Sequence, residues 1–171
     1  METDDRWDPE RVQPLPCYDG CYVCGPSHSH GLRMRFYATE SSEIRALLQP
    51  ESWMCGYDGV VHGGVVSALL DELIGWAVTL HNDLLACTGD LTMRFVKPVR
   101  VGQTYIGRGR LGKGRGRLWE AEGELVDETG SVHATARGRY VLFSREETHA
   151  VASKMTYRSE DLPVFRGGNH E

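Results

Sequence analysis

Two adjacent carboxylates stand in an otherwise apolar stretch of the sequence and are its first candidates for chemistry. Asp71 and Glu72 are the only charged residues between Gly63 and Leu80. Burying a carboxylate costs several kcal/mol unless it is paired or hydrogen-bonded. At least one of the two must therefore face a cleft, a partner or solvent. A functional site and an exposed helix edge are both consistent with this placement.

A histidine and two glycines, His62, Gly63 and Gly64, precede this apolar stretch. Glycines let a ligand approach the backbone closely, and the first amides of a helix are unpaired and carry the positive end of its dipole. Such amides can hold a carbonyl oxygen that gains negative charge, as in an oxyanion hole. A glycine turn that only tightens the loop-to-helix junction explains the same residues.

The spacing between these two features limits how they can cooperate. Gly64 and Asp71 are seven residues apart, which is about 10.5 Å along a helix at 1.5 Å per residue. That is too far for both to act on one carbonyl group. If both are catalytic, the amide and the carboxylate must come from different protomers, so the hypothesis requires an oligomeric site.

The elements that must position these residues form one helix and about six strands. Apolar residues at helical spacing predict a largely buried helix within Val61–Leu80. Alternating residues predict strands at 32–36, 43–49, 91–96, 103–111, 119–125 and 132–142. One helix on one antiparallel sheet is a two-layer α+β domain. Because the sheet covers one side of the helix and leaves its own edges open, oligomerisation is expected.

Composition indicates one globular domain in the 171 residues, of which 40% are hydrophobic and 25% charged. We expect an extended arm over 1–18, the domain over 19–143 and a polar tail over 144–171. The acidic N-terminus lacks an apolar signal core and no apolar run approaches a span of about 20 residues, so neither secretion nor a membrane is predicted. Five cysteines leave at least one unpaired in any intrachain disulfide scheme, which suits a cytoplasmic location.

Positive charge is concentrated in one segment, although the formal net charge of the chain is −5. No acidic residue lies between Leu91 and Trp119. The segment is a candidate anion site, but a solvated face of strands and turns is the simpler interpretation. Nucleic acid is not predicted as a partner, because no interleaved aromatic residues accompany the bases. A small molecule that carries phosphate fits better.

Three cysteines near the N-terminus, Cys17, Cys21 and Cys24, lie close to His28 and His30 in the sequence. These residue types bind zinc, and a zinc ion here would be structural. No second cysteine pair follows, so a turn with free thiols is favoured and no metal is predicted.

Four strings of the sequence carry a resemblance to a known family: Cys21–Pro26 (CYVCGP), Gly31–Phe36 (GLRMRF), Gly59–Glu72 (GVVHGGVVSALLDE) and Thr88–Val99 (TGDLTMRFVKPV). From about residue 20 to 143 the chain resembles the hotdog-fold acyl-CoA thioesterases, specifically the PaaI-like branch. The resemblance implies an antiparallel sheet of five to six strands wrapped around one long central helix.

The resemblance also implies a catalytic set of Asp71, Gly64, Gly63, His62 and Thr88. Asp71 stands where the family has its catalytic carboxylate, which acts as a general base for water or as a nucleophile. Gly64, with Gly63, would donate N–H groups to the thioester oxygen, and His62 would support the loop. Thr88 would help to position the attacking water, and Glu72 would be a non-catalytic neighbour.

The residues expected near the substrate match the family's pattern less well. Many relatives have Asn or Gln six residues before the motif histidine, where this chain has Gly56, and Ser29–His30 replaces the usual Asn-Pro. Some of the basic residues of the acid-free segment would meet the phosphates of CoA. Two aromatic residues are candidates for the acyl pocket, and loop packing explains them equally well. These candidates are Arg108, Arg110, Lys113, Arg115 and Arg117 for CoA, and Trp53 and Tyr57 for the acyl group.

The favoured hypothesis is therefore an acyl-CoA thioesterase that forms a homodimer or a tetramer, needs no cofactor and releases a carboxylic acid and free CoA. The alternative is a non-catalytic protein of the same fold that binds acyl-CoA or a lipid-like ligand, since a fold does not determine a function. A dehydratase acting on acyl thioesters ranks last, because the expected His-and-Asp hydratase pattern is absent. The acyl group stays open.

Overall fold

The computed structural model describes residues 7–165. In this part of the chain, five strands precede one long helix and four strands follow it. In chain order the elements are β1 (Val12–Pro14), β2 (Phe36–Thr39), β3 (Ile44–Leu48), β4 (Cys55–Tyr57), β5 (Val60–Val61), α1 (Gly63–Asn82), β6 (Ala86–Phe95), β7 (Tyr105–Arg115), β8 (Leu118–Asp127), β9 (Val132–Leu142) and α2 (Arg145–Ala152).

The strands form one large antiparallel sheet in the order β1-β2-β3-β7-β8-β9-β6, and β4 pairs with β5 separately. The predicted two-layer α+β architecture is confirmed. The expected five to six strands are too few, because the large sheet has seven. The additional strand, β1, lies in the predicted N-terminal arm and pairs with β2 through Val12 and Thr39. Strand β6 lies at the edge of the sheet, which matters for the site.

The core lies between α1 and the inner face of the sheet. Leu69, Leu73 and Ile74 are completely buried, and each such side chain contributes about 1.5–3 kcal/mol through its removal from water. Two strand glycines bring the helix close to the sheet. A Cβ atom would lie 3.1 Å from Leu73 at Gly109 and 2.6 Å from Ile74 at Gly123, so larger residues there would push the helix away.

Helix α1 is long and apolar enough to cross a membrane by length and composition alone, and half of that stretch is buried within the chain. Contacts with β3, β6, β7, β8 and β9 account for the apolar composition. The helix therefore has the properties of a core helix.

The two chain ends pack against each other. The amide of Leu162 donates to the carbonyl of Pro14 over 2.7 Å, and the amide of Thr156 donates to that of Cys17 over 2.7 Å. A capping box, in which Ser144 and Glu147 exchange hydrogen bonds, starts α2. Much of the predicted polar tail is thus ordered by backbone bonds that its composition does not reveal. Residues 1–6 and 166–171 of the two predicted end segments lie outside the described residues.

Residues 15–35, here called the N-terminal loop, connect β1 to β2 without a helix or strand. The strand predicted at 32–36 begins only at Phe36. Leu32 and Met34 are buried as the alternation predicts, but their amides donate to Tyr22 and Val23 of the same loop. The alternation therefore reflects packing of the loop rather than a place in the sheet.

Candidate active site

Asp71 lies midway along α1 and accepts two hydroxyl hydrogen bonds on one carboxylate oxygen. Thr88 Oγ1 is 2.9 Å from Asp71 Oδ1, and the Tyr140 hydroxyl is also 2.9 Å from it. The same Tyr140 hydroxyl lies 3.0 Å from the Asp71 carbonyl oxygen. Within residues 7–165 no group bonds to Oδ2. One oxygen is therefore held by the sheet, and the other is available to a ligand.

Thr88 reaches Asp71 because the edge strand contains a β-bulge. In β6 the pairing passes from Thr88↔Tyr140 to Asp90↔Arg139, which leaves Gly89 as an extra residue. Thr88 and Leu91 are three residues apart, so they would point to opposite faces of a regular strand. The extra residue places both on the inner face and directs the Thr88 hydroxyl toward the helix.

Tyr140 lies in the last predicted strand and was given no role in the site from the sequence. It is almost completely buried and lies directly opposite Thr88 in the sheet. Burial, and then the charge of Asp71, raise the pKa of the Tyr140 phenol, so it stays protonated and can donate. The alternation in the sequence indicates its inward direction, but only the strand register places it beside Asp71.

The start of α1 is capped by His62, whose Nδ1 accepts a hydrogen bond from the Gly64 amide over 2.9 Å. The Gly64 N–H, an expected oxyanion donor, is thus engaged by the imidazole in this arrangement. Gly63 is the first helical residue, so the helix itself offers its N–H no acceptor. Gly63 therefore presents the amide that a ligand can reach.

A cavity of about 430 Å³ adjoins this helix start and is lined by Gly63, Val66, Tyr57 and Phe95. Its mainly apolar lining suits an acyl chain. Tyr57, one of the two predicted acyl-pocket residues, lines this cavity. Trp53, the other, is 51% exposed and does not line this cavity.

The structure does not gather the five basic residues proposed for CoA into one surface. Lys113 and Arg115 line a second cavity of about 570 Å³, beside Trp119. Arg117 donates to the Leu142 carbonyl over 2.9 and 3.0 Å.

The other two bases, on β7, form cross-strand pairs with β8: Arg108 lies 3.6 Å from Glu124, and Arg110 lies 3.9 Å from Glu122. The segment that lacks acids in the sequence is therefore partly neutralised by the neighbouring strand.

Glu72 faces a different part of the molecule from Asp71. Its Oε2 lies 3.2 Å from Cys21 Sγ in the N-terminal loop. Burial, and then the neighbouring Cys21, raise the pKa of Glu72 to about 8. A hydrogen bond with Cys24, and then backbone amides of the loop, lower the pKa of Cys21 to about 5. The carboxyl group and the thiol therefore compete for one proton.

The fold and the site together define the class of protein. An antiparallel sheet packed on one long helix, with a carboxylate on that helix and glycines at its start, is the hotdog type of α+β domain. The sequence profile of the thioesterase superfamily matches residues 58–134, slightly less than half of the chain. The matched segment includes His62, Asp71 and Thr88. This part of the chain is therefore similar to the thioesterase superfamily, in agreement with the resemblance that the sequence strings carry.

Solved structures show the same fold at low sequence identity. A crystal structure of a thioesterase superfamily protein aligns with a TM-score of 0.65 and 22% identity over 71% of this chain and 59% of that chain. The chain thus spans less than two thirds of that relative's length.

Escherichia coli PaaI, from the phenylacetic acid degradation operon, aligns with a TM-score of 0.61 and 18% identity, over 66% of this chain and 81% of PaaI. A hypothetical thioesterase from Streptococcus pneumoniae, solved with coenzyme A, aligns with a TM-score of 0.56 and 15% identity, over 60% and 82% of the two chains. No curated protein matches the chain.

Proposed function

We propose that this protein is an acyl-CoA thioesterase, which hydrolyses a thioester to a carboxylic acid and free CoA. The observation that carries the proposal is the Asp71 carboxylate, held on one oxygen by Thr88 and Tyr140. It lies on the same helix that begins with the Gly63 amide beside an apolar cavity. Coenzyme A in the pneumococcal relative supports CoA as the carrier of the acyl group.

The proposed site is shared between two copies, because one helix separates Gly64 and Asp71 by about 10.5 Å. Strand β6 is one of the two edges of the sheet, and an open edge is a template for pairing. Antiparallel pairing of two β6 strands about residues 91–92 sets Thr88 of one copy opposite Phe95 of the other. Phe95 packs at the helix start, where a Cβ on Gly63 would lie 3.3 Å from its ring. The carboxylate of one copy then faces the amide of its partner in a homodimer.

The proposed reaction uses the amide of one copy and the carboxylate of the other. The Gly63 N–H donates to the thioester carbonyl oxygen and stabilises the negative charge that develops there. Asp71 Oδ2 takes a proton from water, whose oxygen attacks the carbonyl carbon. The tetrahedral intermediate then collapses, the C–S bond breaks, and the sulfur leaves and takes up the proton. Thr88 and Tyr140 keep Oδ1 in place throughout.

Direct attack by Oδ2 is the second route that this geometry supports. It forms a mixed anhydride with Asp71 and expels the CoA thiolate, and water then hydrolyses the anhydride. Both routes require a free Oδ2 and an amide at the carbonyl oxygen, so the test below applies to both.

Two of the five basic candidates are retained for CoA. Lys113 and Arg115 line the same cavity as Trp119, whose ring offers a stacking surface for an adenine base. Arg108, Arg110 and Arg117 have partners within the sheet and are not proposed for phosphate binding.

Subunit complementation tests the shared site. Asp71→Asn removes the base, and Gly63→Pro removes the amide donor at the first helical position, where proline is favoured. Each variant alone should release almost no thiol from acyl-CoA. Co-expressed, the two chains should restore about one quarter of the wild-type activity, because half of the dimers then hold one intact site. A mixture no more active than its separate components would refute the shared site.

Non-catalytic binding of acyl-CoA is the second candidate, and one observation favours it. The Gly64 N–H is already bonded to His62, so only one of the two expected amides is ready for an oxyanion. This candidate predicts acyl-CoA binding in calorimetry without release of thiol across a panel of acyl chain lengths. Turnover of any member of the panel that is lost in Asp71→Asn would exclude it.

A further inference from the structure

Two cysteines of the N-terminal loop and one carboxylate of α1 form a second polar cluster, here called the thiol–carboxylate cluster. The Sγ atoms of Cys21 and Cys24 and a carboxylate oxygen of Glu72 all lie within 4.8 Å of one another. Cys21 Sγ is 3.2 Å from Glu72 Oε2. Cys24 is buried and the other two residues are partly buried. The cluster takes no part in the proposed hydrolysis.

The loop backbone is shaped around the sulfur of Cys21. The amides of Val23 and Cys24 lie 3.3 and 3.4 Å from Cys21 Sγ. A Cβ on the next residue, Gly25, would lie 2.4 Å from the Asp19 carbonyl oxygen and 2.5 Å from that of Cys21. Only glycine therefore fits this turn. Amides directed at a cysteine sulfur favour the thiolate, which is the form that binds metal ions.

We propose that Cys21, Cys24 and Glu72 bind a zinc ion that fastens the N-terminal loop to α1. Tetrahedral zinc, with Zn–S near 2.3 Å and Zn–O near 2.0 Å, sets ligand atoms about 3.8 Å apart for two sulfurs and about 3.5 Å apart for sulfur and oxygen. The 3.2 Å separation of Cys21 and Glu72 differs from this by a few tenths of an ångström. No other His, Cys, Asp or Glu of residues 7–165 joins the group, so water fills the fourth position.

The two thiolates and one carboxylate favour zinc over other divalent metal ions. Two thiolates disfavour Ca²⁺ and Mg²⁺, which prefer oxygen ligands. A Cys-x-x-Cys pair with one carboxylate suits Zn²⁺, and Co²⁺ can replace it as a spectroscopic probe because it accepts the same tetrahedral geometry.

A metal ion at this place would hold the N-terminal loop in position. Residues 15–35 form a long segment without a helix or strand, and such segments are uncommon in compact domains unless they are functional or held in place. The ion would link this loop to the helical turn that carries Glu72 and, next to it, Asp71. It would act as a structural clip.

Metal binding to the reduced, full-length protein tests the inference. The metal-free chain is titrated with Zn²⁺, and with Co²⁺ to record the thiolate-to-cobalt charge-transfer absorption. Wild type should bind one ion per chain. Cys21→Ser and Cys24→Ser should abolish stoichiometric binding, and Glu72→Gln should weaken it at least about tenfold. Cys55→Ser and Cys87→Ser, which change cysteines outside the cluster, should bind like wild type.

A second measurement needs no variant and covers the case in which buried Cys24 cannot be replaced without unfolding. Alkylation of the wild-type protein, read by mass spectrometry, should be slowed by zinc at Cys21 and Cys24 and unaffected at Cys87. Equal alkylation with and without zinc overturns the inference, as does a Cys21–Cys24 disulfide that forms in the presence of zinc and reductant. None of these readouts depends on thioester hydrolysis, so the two proposals can fail separately.

Discussion

Consecutive carboxylates on one helix serve two different regions of this protein. Residues 71 and 72 are rotated by about 100° from each other on a helix of 3.6 residues per turn. Asp71 therefore faces the sheet, where it meets the hydroxyls of Thr88 and Tyr140. Glu72 faces the N-terminal loop and meets the thiol of Cys21. The same chemical group thus receives its role from the partners that the fold brings to it.

The two regions also differ in how they relate to the superfamily. The match to the thioesterase superfamily covers residues 58–134 and so includes Asp71, Glu72 and Thr88. Cys21 lies outside that segment, 51 residues before Glu72. One hydroxyl partner, Thr88, thus lies within the matched segment and the other, Tyr140, lies just after it, whereas the thiol partner comes from the distant N-terminal loop. We therefore expect that a change at Asp71 and a change at Glu72 can be separated: the first affects the proposed hydrolysis, and the second affects how the N-terminal loop is held.

The largest expected effect is on the Asp71 side of the comparison. Asp71→Asn keeps the shape of the side chain and removes the base, so kcat for acyl-CoA hydrolysis should fall by about 10³-fold. Asp83→Asn, the same change at the exposed C-terminal end of α1, serves as the control and should retain activity. Thiol release measures both. A loss below tenfold in Asp71→Asn would remove this carboxylate from the mechanism.

Stabilisation by zinc should depend on Glu72 and not on Asp71. At about 100 times its Kd, a ligand of the folded state raises the free energy of unfolding by about 2.7 kcal/mol, which is a rise in Tm of roughly 5–10 °C for a chain of this size. Wild type and Asp71→Asn should show the same rise in thermal unfolding, and Glu72→Gln a much smaller one. Equal shifts in all three proteins would mean that zinc binds elsewhere.

Removal of the phenolic hydroxyl tests the buried donor on Asp71. A hydrogen bond to a charged group contributes about 1.5–3 kcal/mol, so Tyr140→Phe should lower kcat by roughly 10- to 100-fold with a smaller change in KM. Tyr157→Phe removes a hydroxyl that bonds to the Val164 carbonyl near the chain end and should leave kcat unchanged. If the two variants behave alike, the Tyr140 hydroxyl does not support Asp71 in catalysis, and the side chain contributes only packing.

The smallest expected effect is at the exposed hydroxyl of the edge strand. Thr88→Val removes one hydrogen bond, worth about 1 kcal/mol and hence roughly a fivefold loss in kcat. Thr92→Val makes the same change on the opposite face of β6 and is the matched control. A steady-state comparison of the two variants tests whether the bulge at Gly89 matters because it directs Thr88 inward.

The central helix and its carboxylates are predictable from the sequence because their signals are local. Apolar residues recur at helical spacing, and the histidine and glycines mark the start of α1 within one residue of its observed position. The turn at Asp127–Gly130 is equally local, because the Gly130 amide donates to the Asp127 carbonyl over 2.9 Å. Such features depend on residues a few positions apart, so spacing alone reveals them.

Long-range neighbours are what the sequence leaves undetermined. Tyr140 follows Asp71 by 69 residues, and only the register of β6 against β9, with its bulge, sets Thr88 and Tyr140 side by side. Nor does the spacing of Cys21 and Cys24 indicate that their third neighbour is Glu72. By itself the sequence determined the helix, its carboxylates and the alternation of the strands, because these depend on local geometry. Only the tertiary structure decided which partner each carboxylate meets, because strand register and loop packing depend on contacts between distant parts of the chain.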